Sequence, residues 1–367
     1  ELLPDQIMAL EQGLLENQSE LVVSATSSGK TMIGEIAGIG KIFNDKISYL
    51  KNMGTSNPFD ARQQNNTVLY EGNEKIQLTE EERGYLQRLK NTRTKAKMLY
   101  IVPIVALANM RFREYQELEK FGINAALKVG VSHISRKGVA KDEFGKFSTA
   151  DVIIATYEAI DIMLRSGHPN LIRDIRTVVV DEIQMLSDEE RGFILDGLIA
   201  RLRLILPKAQ MLYLSATISD PENLAKQLRA ALIHYDDRPV PMERHMLMCM
   251  DEHVKMRNMK LLVQNEFCNR SSFGFLGQTI IFTNSRKNAE RLAEFLNDNH
   301  VRASAYHGGL DYWQRKLIEK SFEMQKIACV VTTAALAAGV DFPASQVIFF
   351  NLTMGIKWLT VAEFEQM

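Results

Sequence analysis

The segment Ser24-Ala25-Thr26-Ser27-Ser28-Gly29-Lys30-Thr31 follows a short apolar run, Leu21 to Val23, and opens a stretch of helical period. Small residues between a strand and a helix leave backbone N–H groups free to face an anion, and the helix N-terminus adds a favourable dipole. In that context Thr26, Ser27, Ser28 and Gly29 are expected to cradle phosphate, Lys30 to reach the outer phosphates, and the Thr31 hydroxyl to ligate Mg2+. Ser24 stands where the general pattern has glycine. A second cluster, Asp181-Glu182-Ile183-Gln184, directly follows the apolar run Thr177 to Val180. This places two adjacent carboxylates at the C-terminal end of a buried strand, the edge of an open α/β sheet where ligands bind. Asp181 is suited to the metal shell and Glu182 to orienting or deprotonating a water, the tasks that phosphoryl transfer needs besides charge neutralisation. Taken alone, the pair could equally be an acidic helix cap. Its distance behind a phosphate loop favours catalysis.

These residues need strands to carry them. Met98 to Val102, Val152 to Ala155 and Met211 to Leu214 join the two runs already named, and each is separated from the next by helical segments. Alternation of this kind predicts a mostly parallel sheet with helices on both faces. The pattern restarts with Thr279 to Phe282, Ala303 to Tyr306, Ala328 to Val331 and Gln346 to Phe350, which implies a second α/β domain. Asp236 to Pro241, charged and carrying two prolines, is read as interrupting a preceding helix and marking the boundary. The domains are accordingly expected at 1–238 and 239–367. About 44–97 departs from the alternation and is read as a polar insertion. Within it, Thr79 and Glu82 can form a capping box ahead of one helix. Its basic end, Arg83, Arg88, Lys90, Arg93, Lys95 and Lys97, is either a solvated face or a nucleic-acid contact.

Composition narrows the classes. The 367 residues carry 44 Lys and Arg against 45 Asp and Glu, a formal charge of −1, so any nucleic-acid surface has to be a local groove. The cysteines Cys249, Cys268 and Cys329 lie far apart without a C-x-x-C pair, which speaks against a zinc site or a disulfide framework and for a reducing, cytoplasmic setting. No apolar run reaches spanning length, and no secretory signal opens the chain.

Ser215-Ala216-Thr217 closes another strand ahead of a helix that Ser219 or Asp220 can cap and Pro221 begin. With this third segment the order of motifs resembles the DExH-box helicases of superfamily two, and among them the superkiller-like group, along essentially the whole chain. The resemblance implies two tandem RecA-like domains, use of ATP and Mg2+, and a DNA or RNA strand as partner. Leu3-Pro4-Asp5-Gln6 is similar to the adenine-reading segment, with Gln6 as the base contact. Pro103 to Ala108 resembles motif Ia, Thr156-Tyr157-Glu158 motif Ib, and Ser215-Ala216-Thr217 the coupling motif III. Ile281 to Arg286 resembles motif IV, Tyr306-His307-Gly308-Gly309-Leu310 the segment after it, and Thr332-Thr333 through Pro343 motif V. From these the resemblance implies strand contacts at Pro103, Ala106, Thr156, Glu158, Asn284, Ser285, Arg286, His307, Gly308 and Thr333. Gly339 and Asp341 would join the nucleotide site.

The chain departs from the family at Gln184, where His is usual, at Ala335 for Thr, and at Asp341 for Asn. Gln184 can still hydrogen-bond toward Ser215 or Thr217, so coupling is expected to persist in altered form. Glu365-Gln366-Met367 resembles the lead into motif VI, whose arginines complete the ATP site in the family. The sequence is therefore expected to be part of a longer protein, and to hydrolyse ATP poorly by itself.

Tyr157 either stacks on a base or caps the sheet edge. His307 has no partner at metal-ligand spacing, and Gly308 and Gly309 allow close approach of a phosphate backbone. Met242, Met246, Met248, Met250, Met256 and Met259 are either packing filler or an adaptable surface. The function expected is a motor that couples MgATP hydrolysis between the two domains to stepping on a single strand. An ATP-gated clamp that separates no strands would have the same sequence. DNA and RNA are not distinguished by these motifs.

Overall fold

The computed structural model describes residues 2–25, 29–59, 79–129, 147, 149–167, 172–216, 218–235, 242–333, 342–354, 357–359 and 364. Expectations placed on Thr26, Ser27, Ser28, Thr217, Ala335, Gly339 and Asp341, on the linker 236–241 and on 365–367 lie outside them. The chain divides into two compact units, Glu1–Pro241 and Met242–Met367.

The first unit holds a seven-stranded sheet in the order β3-β4-β2-β5-β6-β1-β7. Its strands are β1 (Glu20–Ser24), β2 (Lys97–Val102), β3 (Ala125–Lys128), β4 (Val152–Thr156), β5 (Ile175–Val180), β6 (Gln210–Ser215) and β7 (Ala231–Tyr235), and every pair is parallel. The inner strands are buried nearly throughout because helices cover both faces, which is why they read as unbroken apolar runs. Val22, Tyr100, Val179 and Leu214 face one core with Ile33, Ala37 and Tyr115, while Leu21, Ile101, Val180 and Tyr213 face the other with Leu195 and Leu202.

Two strands of this sheet escape the sequence reading. β7 occupies what reads as the end of a helix, because Arg229 in left-handed backbone (φ 49°) stops the helix Pro221–Leu228 and frees the chain to pair with β1. β3, Ala-Ala-Leu-Lys, has helix-favouring composition and is held extended by pairing with β4. The stretch from residue 44 is also corrected. Up to Asn52 it continues the helix Lys30–Asn52, with Lys46 and Leu50 buried. Beyond it, Thr79 Oγ1 accepts from the Glu82 amide at 3.2 Å and Glu82 Oε2 from the Thr79 amide at 2.8 Å, closing the capping box of the helix Glu80–Asn91. Tyr85 and Leu89 turn inward from that helix and Lys97 lies buried in β2, so the basic stretch is partly core.

Lys46 is wholly buried against Asp151 at 2.6 Å, and its ammonium also donates to the carbonyls of Leu89 at 3.1 Å and Gly122 at 2.8 Å. Asp151 Oδ2 accepts from the Asn124 amide as well, at 2.7 Å. One ion pair thus ties the first long helix, the helix Glu80–Asn91 and the entries to β3 and β4.

Glu20 in β1 has the opposite character: it is fully buried and neither carboxyl oxygen has a hydrogen-bond partner. Burial, with the charge of Glu16 adding to it, pushes its pKa up to about 8. Between its ordinary value and about 8 the folded protein keeps a proton that the unfolded chain has released, so stability falls as pH rises through that window. Glu20→Gln, which has no charge to bury, is expected to raise the thermal midpoint over wild type by an amount that grows from pH 6 to pH 9. A pH-independent difference would remove Glu20 as the cause.

In the second unit β8 (Thr279–Phe282), β9 (Ala303–Tyr306), β10 (Cys329–Thr332) and β11 (Gln346–Phe349) form a parallel sheet in the order β11-β8-β10-β9. The helices Glu252–Cys268 and Arg286–Asp298 supply Met259, Val263, Leu292 and Leu296 to its core. The methionines divide: Met256 and Met259 pack, whereas Met246, Met248 and Met250 are exposed. Among the described residues, no helix is long and apolar enough to cross a membrane.

Candidate nucleotide and strand-binding sites

Parallel strands end together, so β1, β5 and β6 deliver their following residues to one edge of the first sheet. After β1, Gly29 adopts φ 81°, and a Cβ there would lie 2.5 Å from Gln6 Nε2. Glycine is required by the turn and by this approach. Gln6 in turn donates from Nε2 to the Gly29 carbonyl at 3.2 Å, and Asp5 Oδ2 accepts from the Ser24 hydroxyl at 2.9 Å. The serine that replaces glycine at the loop entry therefore anchors the first helix, a role for Asp5 that its spacing did not signal. Lys30 begins the following helix and donates to the carbonyls of Ser24 at 2.6 Å and Ala25 at 2.7 Å. Burial lowers its pKa, opposed by Glu182, Asp181 and Asp5.

Past β5, Asp181 Oδ2 accepts from the Tyr100 hydroxyl at 2.8 Å and Oδ1 from the Glu182 amide at 3.1 Å. Glu182 occupies left-handed backbone, φ 56° and ψ 50°. Such a conformation is costly for a residue with a Cβ and is held by its surroundings. Here the Tyr157 hydroxyl donates to the Asp181 carbonyl, and Gln184 Nε2 to Glu182 Oε2. Ser215, ending β6, donates to Gln184 Oε1 at 2.7 Å. The hydrogen bond expected of Gln184 is thus made to Ser215. Burial raises the pKa of both acidic residues; the charge of Asp181 adds to the rise at Glu182, while Arg111 opposes it at Asp181.

Arg111, from the helix Val105–Gln116, is another residue the sequence reading missed. It donates from Nη2 to Thr31 Oγ1 at 2.8 Å and stands 4.0 Å from Asp181 Oδ2. No local period marks it, since 80 residues separate it from Thr31. Thr31 and Asp181 offer only hard oxygen donors, and a cationic side chain already lies between them. That fits Mg2+, which takes few protein oxygens and completes its shell with phosphate and water. Among the described residues no cluster of three or more His, Cys, Asp or Glu could cage a metal unaided.

The residues assigned to strand contact fall into two groups. Pro103 and Glu158 are joined by Arg191, which donates from Nε to Glu158 Oε1 at 2.9 Å and from Nη2 to the Pro103 carbonyl. Arg191 precedes the helix Gly192–Ile205 and follows the 3-10 turn Ile183–Ser187, so it connects both segments to the acidic one. Thr156 is buried as a whole residue at the end of β4 and is withdrawn from ligand contact in this conformation, while Ala106 is exposed. Tyr157 is 1% exposed with its hydroxyl engaged, so it serves the sheet edge and cannot stack on a base in this conformation.

In the second unit Ser285 caps the helix Arg286–Asp298 by accepting from the Asn288 amide at 3.2 Å, and Asn284 Oδ1 accepts from Asn288 Nδ2 at 2.6 Å. The Arg286 guanidinium lies beside Gly308 and Gly309: a Cβ on Gly309 would be 3.4 Å from Nη1. His307 is buried, with Nε2 3.1 Å from Glu290 Oε1, so its ring is turned from solvent. The residue as a whole is withdrawn from contact in this conformation, whereas Gly308 and Gly309 are exposed. Thr333 is half-buried past β10.

Residues 3–225 match the DEAD/DEAH box helicase family and residues 261–367 the helicase conserved C-terminal domain. The "Probable ATP-dependent helicase" of Methanocaldococcus jannaschii is 44% identical over 100% of this chain and 39% of its own length. The ATP-dependent DNA helicase Hel308 of Pyrococcus horikoshii is 28% identical over 100% of the chain and 48% of its own. The chain thus spans less than half the length of either relative. Among solved structures, the Mycobacterium smegmatis helicase Lhr bound to single-stranded DNA and AMP-PNP superposes with a TM-score of 0.63 at 22% identity, covering 100% of this chain and 43% of that one. S. cerevisiae Dbp5 bound to RNA and ADP BeF3 gives 0.63 at 20% identity, covering 99% and 78%. These likenesses concern the fold: two tandem RecA-like domains.

Proposed function

Because the chain belongs to the DEAD/DEAH box helicases, we propose that it is the motor part of a nucleic-acid-stimulated ATPase, coupling MgATP hydrolysis to movement on a single strand. The observation that carries the reading is the hydrogen-bonded series Glu182–Gln184–Ser215 at the sheet edge that also holds Lys30 and Asp181. We assign nucleotide binding to the domain at 1–238. Lys30, released from the carbonyls of Ser24 and Ala25, holds the outer phosphates, and Gln6 reads the base. Thr31 and Asp181 would hold Mg2+, which when bound neutralises charge on the phosphate oxygens. Glu182 orients a water toward the γ-phosphorus; as the new P–O bond forms and the bond to ADP breaks, its carboxylate takes the water's proton. Exposed Gly308, with Asn284, Ser285, Arg286 and Thr333 in the domain at 239–367, contacts phosphate and sugar, while the buried Thr156 and His307 hold their segments in place. Such contact is indifferent to sequence and weakens with salt. DNA is taken as the strand on the name of the Pyrococcus relative.

Gln184 is placed to pass the state of Glu182 to Ser215. In the full-length protein, Gln184→Ala is expected to keep the basal ATPase within a few-fold of wild type and to lose most of the acceleration by single-stranded DNA. Undiminished acceleration would remove the hydrogen-bonded series from the coupling. Matched single-stranded RNA in the same assay reports whether the strand is DNA.

A further inference from the structure

Arg111 has an unusual position for a group outside the phosphate loop and the acidic segment. Its Nη2 hydrogen-bonds Thr31 Oγ1 at 2.8 Å and lies 4.0 Å from Asp181 Oδ2, on the two side chains suited to Mg2+. The guanidinium is 5.9 Å from the Tyr100 ring centroid, and Tyr100 itself donates to the same Asp181 oxygen at 2.8 Å. Its Nε is buried without a hydrogen-bond partner, so the head group is not seated in a saturated structural niche. At the outer end, Nη1 pairs with Glu114 Oε2 at 2.8 Å, and that carboxylate is 46% exposed.

We propose that Arg111 is a resident counter-cation of the metal position: it neutralises Asp181 and occupies the Thr31 hydroxyl before nucleotide arrives, and it has to withdraw toward Glu114 for Mg2+ to enter. The inference rests on the nucleotide reading of this site. Physically, a metal ion needs the Thr31 lone pair and the Asp181 oxygens at about 2.0–2.1 Å. A guanidinium held on the same atoms competes for them and repels a divalent ion. Arg111 therefore sets how much free Mg2+ is required for the nucleotide complex to form. Glu114 provides the alternative partner that makes withdrawal possible, so the two residues act in opposite directions.

The experiment is a titration of free Mg2+ into the full-length protein with a fluorescent, non-hydrolysable ATP analogue, read by fluorescence polarisation. Arg111→Met is expected to lower the half-saturating Mg2+ concentration about fivefold, and Arg111→Lys to stay near wild type. Glu114→Gln, which strips Arg111 of its outer partner, is expected to raise that concentration. In EDTA without nucleotide, Arg111→Met should melt below wild type because Asp181 has lost its counter-charge, and the difference should shrink once Mg2+ and analogue are added. An unchanged or raised Mg2+ requirement in Arg111→Met would overturn the proposal, as would a lowered one in Glu114→Gln. Should Arg111→Met fail to fold, the direction of the Glu114→Gln shift decides. Wild-type protein that binds the analogue without regard to Mg2+ would overturn the nucleotide-site reading itself, and the proposal with it.

Discussion

Glu182→Gln is expected to bind ATP with near wild-type affinity while turnover falls by about two to four orders of magnitude. Glutamine has nearly the shape of glutamate, so the left-handed turn at this position and the packing around it have no steric reason to change. What disappears is the ability to take a proton. Gln184 Nε2, which donates to Glu182 Oε2, still finds an amide oxygen there, so the link to Ser215 can survive the substitution. Lys30→Ala is the contrasting case, because Lys30 is assigned to phosphate binding and its loss should lower affinity and turnover together. Nucleotide affinity by equilibrium titration and steady-state hydrolysis separate the two roles. Wild-type turnover in Glu182→Gln would exclude Glu182 as the proton acceptor.

The second large effect concerns stability. Lys46→Met should destabilise the first unit by about 3–5 kcal/mol, since it leaves Asp151 buried and charged with no cation. Burial by itself pushes Lys46 down and Asp151 up in pKa, each toward its neutral form, and the 2.6 Å contact between them opposes both shifts. Two carbonyls, of Leu89 and Gly122, lose their donor in the same substitution. The double variant Lys46→Met, Asp151→Asn should recover part of the loss, because asparagine keeps an acceptor for the Asn124 amide without burying a charge. Denaturant unfolding of the single and double variants measures this. A loss below about 1 kcal/mol in Lys46→Met would mean the pair contributes no more than a surface ion pair.

These two residues illustrate what could be read before the fold was known. The place of Lys30, Thr31, Asp181 and Glu182 beyond strand ends was legible because the apolar runs before them mark those ends. The doubly covered central strands were legible for the same reason. Lys46 was not, because its partner lies 105 residues away and a lysine in a polar stretch reads as surface. Arg111 and Arg191 escaped notice likewise: their partners come from other strands, and no periodicity connects them. β7 was hidden by composition, since Ala231 and Leu232 continue the helical look of the preceding segment until Arg229 is seen to break it. Thr156 and His307 were expected to touch a strand, yet both are buried as whole residues in this conformation, which local spacing does not signal.

Control of ATP hydrolysis by a bound strand is the core of the proposed function. Its most direct test is the steady-state rate of ATP hydrolysis by the full-length protein at saturating MgATP, with and without single-stranded DNA. Hydrolysis is expected to rise at least tenfold on adding the strand, roughly the size of a 1.4 kcal/mol coupling, and to decline as salt displaces it. A rate indifferent to single-stranded DNA and RNA alike, in protein that demonstrably binds MgATP, would contradict the proposed function.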